Sequence, residues 1–187
     1  MQFRQRRADG RHLLRPGFDK GHPGRAAGQR LQTQCAAAAT NGQGKLLLDV
    51  KGVNIGADIK AALNTANGID SRVGENSVWP SQNNSIQAAI DFHAAMPNAG
   101  ILWGAVPANQ AEFDDLRSKG IVGFDIDADL VTPEFLFAAH AQVPRMDVIA
   151  FTILSPDKML EMIDRGVDGM ETDYPGILDS LMPPPLQ

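Results

Sequence analysis

The stretch Val148-Ile-Ala-Phe-Thr-Ile-Leu-Ser-Pro-Asp-Lys-Met-Leu-Glu-Met-Ile-Asp-Arg-Gly-Val-Asp-Gly-Met-Glu-Thr-Asp-Tyr-Pro-Gly-Ile-Leu178 decides the architecture. It opens on an apolar run with strand composition. Ser155 can cap a helix whose first residue is Pro156, and Gly166 closes that helix. A short apolar strand over 167–172 follows, and Pro175 starts a terminal helix. Two buried strands joined through a helix must run parallel, because an antiparallel pair needs only a tight turn.

The same alternation continues upstream. Strands are predicted over 45–51, 77–79, 100–103, 121–126 and 147–153. Helices are predicted over 55–66, 85–96 with Pro97 as its stop, 110–119 before Gly120, and from Pro133 behind the cap Thr132. Six β–α units of this kind require a parallel sheet covered by helices. No Gly-x-Gly-x-x-Gly follows the first strand, which weighs against a dinucleotide-binding open sheet. Residues 1–44 show no comparable periodicity. They are predicted to form an irregular basic segment, ahead of a β/α domain over 45–182 and a proline-rich tail over 183–187.

Composition narrows the function classes. With 187 residues, 43% hydrophobic and 21% charged, the chain can bury one sizeable core. Residues 1–40 hold eight basic and two acidic side chains, whereas the remainder holds nine and twenty. The acidic main domain and the lack of a motif in the basic arm predict no nucleic-acid partner. No apolar run is long enough for a membrane span, and no signal-like apolar region follows the first arginines. Cys35 is the only cysteine, so neither an intrachain disulfide nor a thiolate metal cluster is expected, and a cytoplasmic location fits. The sequence sets no oligomeric state.

The closing stretch resembles the end of the glycerophosphodiester phosphodiesterases. The match rests on Phe151-Thr152, on Gly166-Val167-Asp168-Gly169 and on Thr172-Asp173-Tyr174-Pro175, in that order and spacing. The resemblance covers about residues 45–182. It implies a TIM-type (β/α)8 barrel of the phosphatidylinositol-phospholipase-C-like phosphodiesterase kind, incomplete or irregular at its N-terminus. Counted back from the C-terminus, the strand over 45–51 is then the third of eight. The implied activity is metal-dependent hydrolysis of a glycerophosphodiester, a small-molecule substrate, to an alcohol and glycerol phosphate. The runner-up is a non-catalytic phosphodiesterase-like fragment or binding domain.

Asp49 and Lys51 share one face of their strand, because positions two apart point the same way. They sit at its C-terminal end, where barrel active sites lie. By resemblance Asp49 is a ligand of a divalent metal, Mg²⁺ or Ca²⁺, and Lys51 is a catalytic residue beside the phosphate. An unliganded Asp–Lys ion pair is the plainer alternative. The family usually has Glu at the position of Asp49. Its His-Arg-Gly of strand one and Glu-x-Asp of strand two do not occur ahead of the 45–51 strand, and no Glu precedes Glu75. His12 and His22 read as arm residues. Phe151, where the family often has Trp, and Trp79 and Trp103, near strand ends, are candidates for the substrate-binding wall or for the core. Leu154 stands where the family often carries a polar Asn. Asp125, Asp127 and Asp129 do not form a calcium loop, since Leu130 and Leu136 replace its Gly and Glu. His93 and His140 are expected on outer helix faces, Asp173 in a turn, and Gly166 and Gly169 as turn and close-packing residues.

Overall fold

The computed structural model describes residues 46–50, 56–67, 78–82 and 85–182. The irregular segment predicted over 1–44, His12, His22, Cys35, Lys51 and the tail over 183–187 lie outside the described residues. Six strands are present: β1 (Leu46–Asp49), β2 (Val78–Gln82), β3 (Ile101–Trp103), β4 (Ile121–Asp127), β5 (Asp147–Phe151) and β6 (Gly169–Met170). They form one sheet in sequential order, and every neighbouring pair is parallel. Helices follow the strands in turn: α1 (Gly56–Asn67), α2 (Ile86–Ala95), α3 (Gln110–Ser118), α4 (Pro133–His140), α5 (Pro156–Arg165) and α6 (Pro175–Leu181).

The predicted caps act as caps. The Thr132 hydroxyl accepts the Phe135 N–H at 3.1 Å, and the Ser155 hydroxyl accepts the Lys158 N–H at 3.3 Å. Each satisfies a donor that the first turn of a helix leaves without a backbone partner. Gly166 ends α5 at φ 88, a left-handed conformation that glycine adopts without steric cost.

The two faces of the sheet are packed differently. Leu48 and Val50 of the first strand segment, Phe124 and Ile126 of β4, and Val148 and Ala150 of β5 join helix residues such as Phe92 and Met159 in the main core. At its centre Phe124 meets Phe113 of α3 and Phe135 of α4 edge-on, with ring centroids 5.6 and 5.1 Å away. The opposite face holds a second, smaller cluster of Leu47, Leu102 and Ile149 with Trp79 against it, and no helix residue belongs to it. A sheet with helices on one face and its own side chains on the other is the wall of a barrel. The described wall has six strands, with β1 and β6 at its edges.

Two strands depart from the predicted pattern. The β3–β4 register shifts between Ile101 and Leu102, which pair with Ile121 and Gly123. The extra residue, Val122, lets both Ile121 and Phe124 reach the helix-side core, which strict alternation forbids. The last strand is shorter than predicted, Gly169–Met170 rather than 167–172. Its pairing nonetheless continues, since the Asp168 N–H donates to Val148 O and the Glu171 N–H to Ala150 O, each at 2.8 Å.

Candidate functional site

In a parallel α/β barrel the loops after the strands gather at one end, and side chains that close the strands point into the mouth they surround. Asp49 is the last residue of β1 and lies opposite Ser81 of β2. The strand's alternation assigns position 49 to the face of Leu47, because Leu48 and Val50 belong to the helix-side core. Its intended companion Lys51 is outside the described residues. Phe151 closes β5, opposite Asp127, on the face of Ile149.

The two tryptophans do not form one wall. Trp79 packs against Leu47, Leu102 and Ile149 inside the sheet. Its indole lies so close to Gly100, just before β3, that a Cβ there would sit 2.6 Å from Nε1. That places it toward the start of the strands, beneath the mouth. Trp103 packs against the helix-side core instead. The residues were read from their nearness to strand ends, but the face is set by register, which places them on opposite sides.

Two carboxylates join the interior face. Asp125 alternates with the core residues Phe124 and Ile126 and is buried. Glu171, two residues beyond Gly169, is buried as well. Burying a carboxylate is costly unless the protein compensates it. The sequence signal for Glu171 was its place two residues after Gly169, at the end of a short strand. Asp127 and Asp129 have other tasks. Asp127 Oδ1 accepts the Asp129 N–H at 2.9 Å and opens the 3-10 turn Ala128–Leu130. Asp129 Oδ1 lies 3.0 Å from Lys158 Nζ, which is also 3.1 Å from Glu161. Hydrogen bonds donated to Asp129 first and Glu161 second hold the Lys158 ammonium above its ordinary pKa. Asp173 lies in the turn after β6, which the Thr172 hydroxyl closes by accepting the Tyr174 N–H at 3.0 Å.

The Gly166-Val-Asp-Gly169 motif has a structural task at the other end of the sheet. Asp168 Oδ2 accepts the Val148 N–H at 2.8 Å and lies 2.9 Å from His140 Nε2. Asp168 Oδ1 takes Arg145 Nη2 at 2.6 Å, and Arg145 Nη1 reaches Asp147 at 2.7 Å. One carboxylate thus ties the entry of β6 to the start of β5 and to α4. His140 is therefore a packing partner rather than a free outer-face residue. His93 is likewise covered, since its ring lies under Gly120, where a Cβ would come within 2.6 Å. Gly169 meets no close neighbour of that kind: a Cβ there would lie 3.4 Å from Ile149, an ordinary contact. Asp168→Ala should lower stability by about 2 kcal/mol, since it leaves the Val148 N–H without its acceptor and removes the carboxylate that Arg145 and His140 share. Asp168→Asn, which keeps an acceptor for Val148, should lose roughly half of that. Equal losses in urea unfolding would show that the amide bond contributes nothing.

No family model and no curated protein matches the sequence. Solved structures do. A glycerophosphodiester phosphodiesterase from Parabacteroides distasonis shares 17% identity at a TM-score of 0.59, over 79% of this chain and 62% of its own. A phosphodiesterase from Oleispira antarctica, in complex with its product sn-glycerol-3-phosphate, shares 20% at 0.55, over 74% and 55%. The chain has the fold of the glycerophosphodiester phosphodiesterases. It spans between 55% and 62% of the length of these two. An N-acetylneuraminate lyase from Mycoplasma synoviae also matches, at 12% identity and a TM-score of 0.54, over 80% of this chain and 52% of its own. Barrel geometry is shared by unrelated chemistries, so the choice of reaction rests on the site.

Proposed function

We propose that the chain hydrolyses a glycerophosphodiester to an alcohol and glycerol phosphate, as the second part of a (β/α)8 barrel. The observation that carries this reading is a convergence. Asp49, Phe151 and the Thr172–Pro175 segment come from three separate stretches, and the fold brings all three to the C-terminal end of the sheet. Phe151 and Thr172–Pro175 are among the residues on which the resemblance to the phosphodiesterases rests, and Asp49 is the one to which the resemblance assigns a metal. In the full barrel of the phosphatidylinositol-phospholipase-C-like kind, two further strands would bridge β6 and β1. The domain would span 45–182, with 1–44 and 183–187 outside it. A cytoplasmic location belongs to the same reading, supported by the single Cys35. No helix among the described residues is long and apolar enough to cross a membrane.

In the proposed reaction water attacks phosphorus, the bond to the alcohol oxygen breaks, and the alcohol leaves with a proton. Negative charge spreads over the phosphoryl oxygens as this happens, and fixed positive charge beside them lowers the barrier. Lys51 is assigned that role. Phe151 is assigned to the pocket wall, and Trp79 to its floor. Trp103 is assigned to the core. Asp49 is assigned as one ligand of a divalent cation, Mg²⁺ or Ca²⁺, which would supply charge neutralisation at the phosphate. The described residues alone do not fit such a site, because no three of their His, Cys, Asp or Glu side chains are grouped to hold a metal. A hard cation asks for about six oxygens or more. Its remaining ligands are therefore assigned to residues beyond the described ones, and no step is derived through it.

Release of glycerol phosphate from glycerophosphocholine by the purified chain tests the reading. Turnover is expected with Mg²⁺ or Ca²⁺, and its loss is expected in EDTA. A folded sample that turns over nothing with either cation would leave the non-catalytic, phosphodiesterase-like alternative in its place.

A further inference from the structure

The interior face of the sheet is built in layers, and one of them is polar. Strands of an eight-stranded barrel tilt, so side chains at one height are offset from their paired positions by about one residue per strand. The direction of the offset is visible in one row of pairs. It runs from Asp49 at the end of β1 through Ser81, Leu102 and Gly123 to Asp147 at the start of β5. Stepping up about one residue per strand makes Leu47 level with Leu102 and Ile149. Those three side chains form one packed cluster, which bears out the offset. Applied to the even strands, the same offset makes Ser81 level with Asp125, and Asp125 level with Glu171. All three are buried, at 7%, 4% and 7% exposure. The other buried polar side chain among the described residues, Gln142, is bonded to Gln110 and Arg117 of α3. Polar burial in the sheet is therefore gathered in a single layer from alternate strands. It lies above the Leu47 layer and about one residue beneath the level of Asp49 and Phe151.

Side chains of one layer converge on the barrel axis. Here they are two carboxylates and a hydroxyl, and the Ser81 hydroxyl makes no hydrogen bond among the described residues. Each carboxylate offers about four acceptor positions, so it can serve a ligand beside any partner it holds within the protein. Three acceptors, two of them charged, match the three N–H donors of a primary ammonium. In an eight-strand ring β4 and β6 each stand three strands from β1, so with the phosphate at Asp49 this layer faces the part of the diester beyond it. We infer that Ser81, Asp125 and Glu171 take the primary ammonium of the leaving alcohol, which makes an ethanolamine-type glycerophosphodiester the preferred substrate. This rests on the phosphodiesterase reading and specifies the head group. A quaternary ammonium carries the same charge but no N–H, and a site built to bond an N–H rejects the analogue that lacks it. The bond cleaved is unchanged. Water oxygen joins phosphorus, the bond to the ethanolamine oxygen breaks, and the alcohol leaves with a proton while its ammonium stays as it is.

The experiment compares glycerophosphoethanolamine, glycerophosphocholine and glycerophosphoethanol by titration calorimetry on the full chain, with turnover of each read separately. The ethanolamine compound is expected to bind at least tenfold tighter than either of the others. The choline compound tests the N–H donors, and the ethanol compound tests the charge with a smaller group. Asp125→Asn combined with Glu171→Gln should bring both ratios to within threefold. Ser81→Ala alone, which removes no charge, should lower them about threefold and serves if the double variant does not fold. Partial unfolding weakens all three compounds alike, so the ratios report the layer rather than the fold. Asp164→Asn should leave the ratios as they are, because Asp164 is exposed on α5, outside the barrel interior. Choline or ethanol compounds that bind the parent within threefold of the ethanolamine one, or no binding of any, would overturn the inference. So would a preference that survives both the double variant and Ser81→Ala, or an equal loss in Asp164→Asn, which would mean attraction by net charge. Hydrolysis without the preference removes only this inference. A preference in binding with no hydrolysis of any compound removes the reaction and leaves the ammonium site in place.

Discussion

Gly123→Ala should cost about 3 kcal/mol, the upper end of what overpacking a tight interior usually costs. Gly123 lies in β4, paired with Asp147 on one side and Leu102 on the other. A Cβ at this position would stand 2.5 Å from the Asp147 carbonyl oxygen and 3.0 Å from Leu102 Cδ2. The first obstacle is backbone held in the parallel ladder, so no side-chain rotation relieves it. The strands would have to separate at the place where the β4–β5 pairing begins. For a domain of this size a loss of that order should move the urea midpoint down by roughly 1–2 M with little change in slope. Gly176→Ala is the matching control. Gly176 lies in α6 with nothing within 4 Å of a Cβ, so alanine should be neutral or stabilise by up to about 1 kcal/mol. If Gly123→Ala unfolded within about 0.5 kcal/mol of the parent, β4 and β5 would not approach as closely as their register requires.

The legible part of the fold is the part governed by local chemistry. Thr132-Pro133 and Ser155-Pro156 announce their helices because a hydroxyl acceptor and a pre-set φ act within one turn. Leu46–Asp49 and Asp147–Phe151 announce their strands because both faces of a parallel sheet in a barrel are buried, which leaves an apolar run. What was not legible depends on partners far away in sequence. Val122 is read as an ordinary strand residue until its neighbour β3 shows that it is the extra residue of a bulge. Trp79 and Trp103 look equivalent in sequence, yet one lines the interior and the other the helix layer. Asp168 lies in the strand predicted over 167–172, and sequence gives it no task of its own. Its acceptance of the Val148 amide, twenty residues away, appears only when β5 and β6 are side by side. In the candidate site the same division holds. Asp49 was found because its charge interrupts an apolar strand end. Glu171 was passed over because the short strand before it carries little pattern, and its burial depends on where that strand lies.

Asp49→Ala should lower kcat/KM for the preferred glycerophosphodiester at least hundredfold while leaving the fold intact, a loss of about 2.7 kcal/mol in transition-state stabilisation. The separation of activity from stability follows from the strand. Leu48 and Val50 hold this segment in the helix-side core, and the Val50 N–H donates to Ser81 O at 3.0 Å. Thermal unfolding of Asp49→Ala should stay within about 0.5 kcal/mol of the parent. Asp49→Glu introduces the residue the resembling family usually carries, and it should keep turnover within tenfold, because a carboxylate remains one methylene further out. If the carboxylate acts as a cation ligand, EDTA should add little to the loss in Asp49→Ala, whereas it should abolish the activity of both the parent and the Asp49→Glu variant. A fully active Asp49→Ala with undiminished sensitivity to EDTA would remove Asp49 from the site. The buried carboxylates of Asp125 and Glu171 would then be the next to replace, since they stand on the same interior face of the sheet.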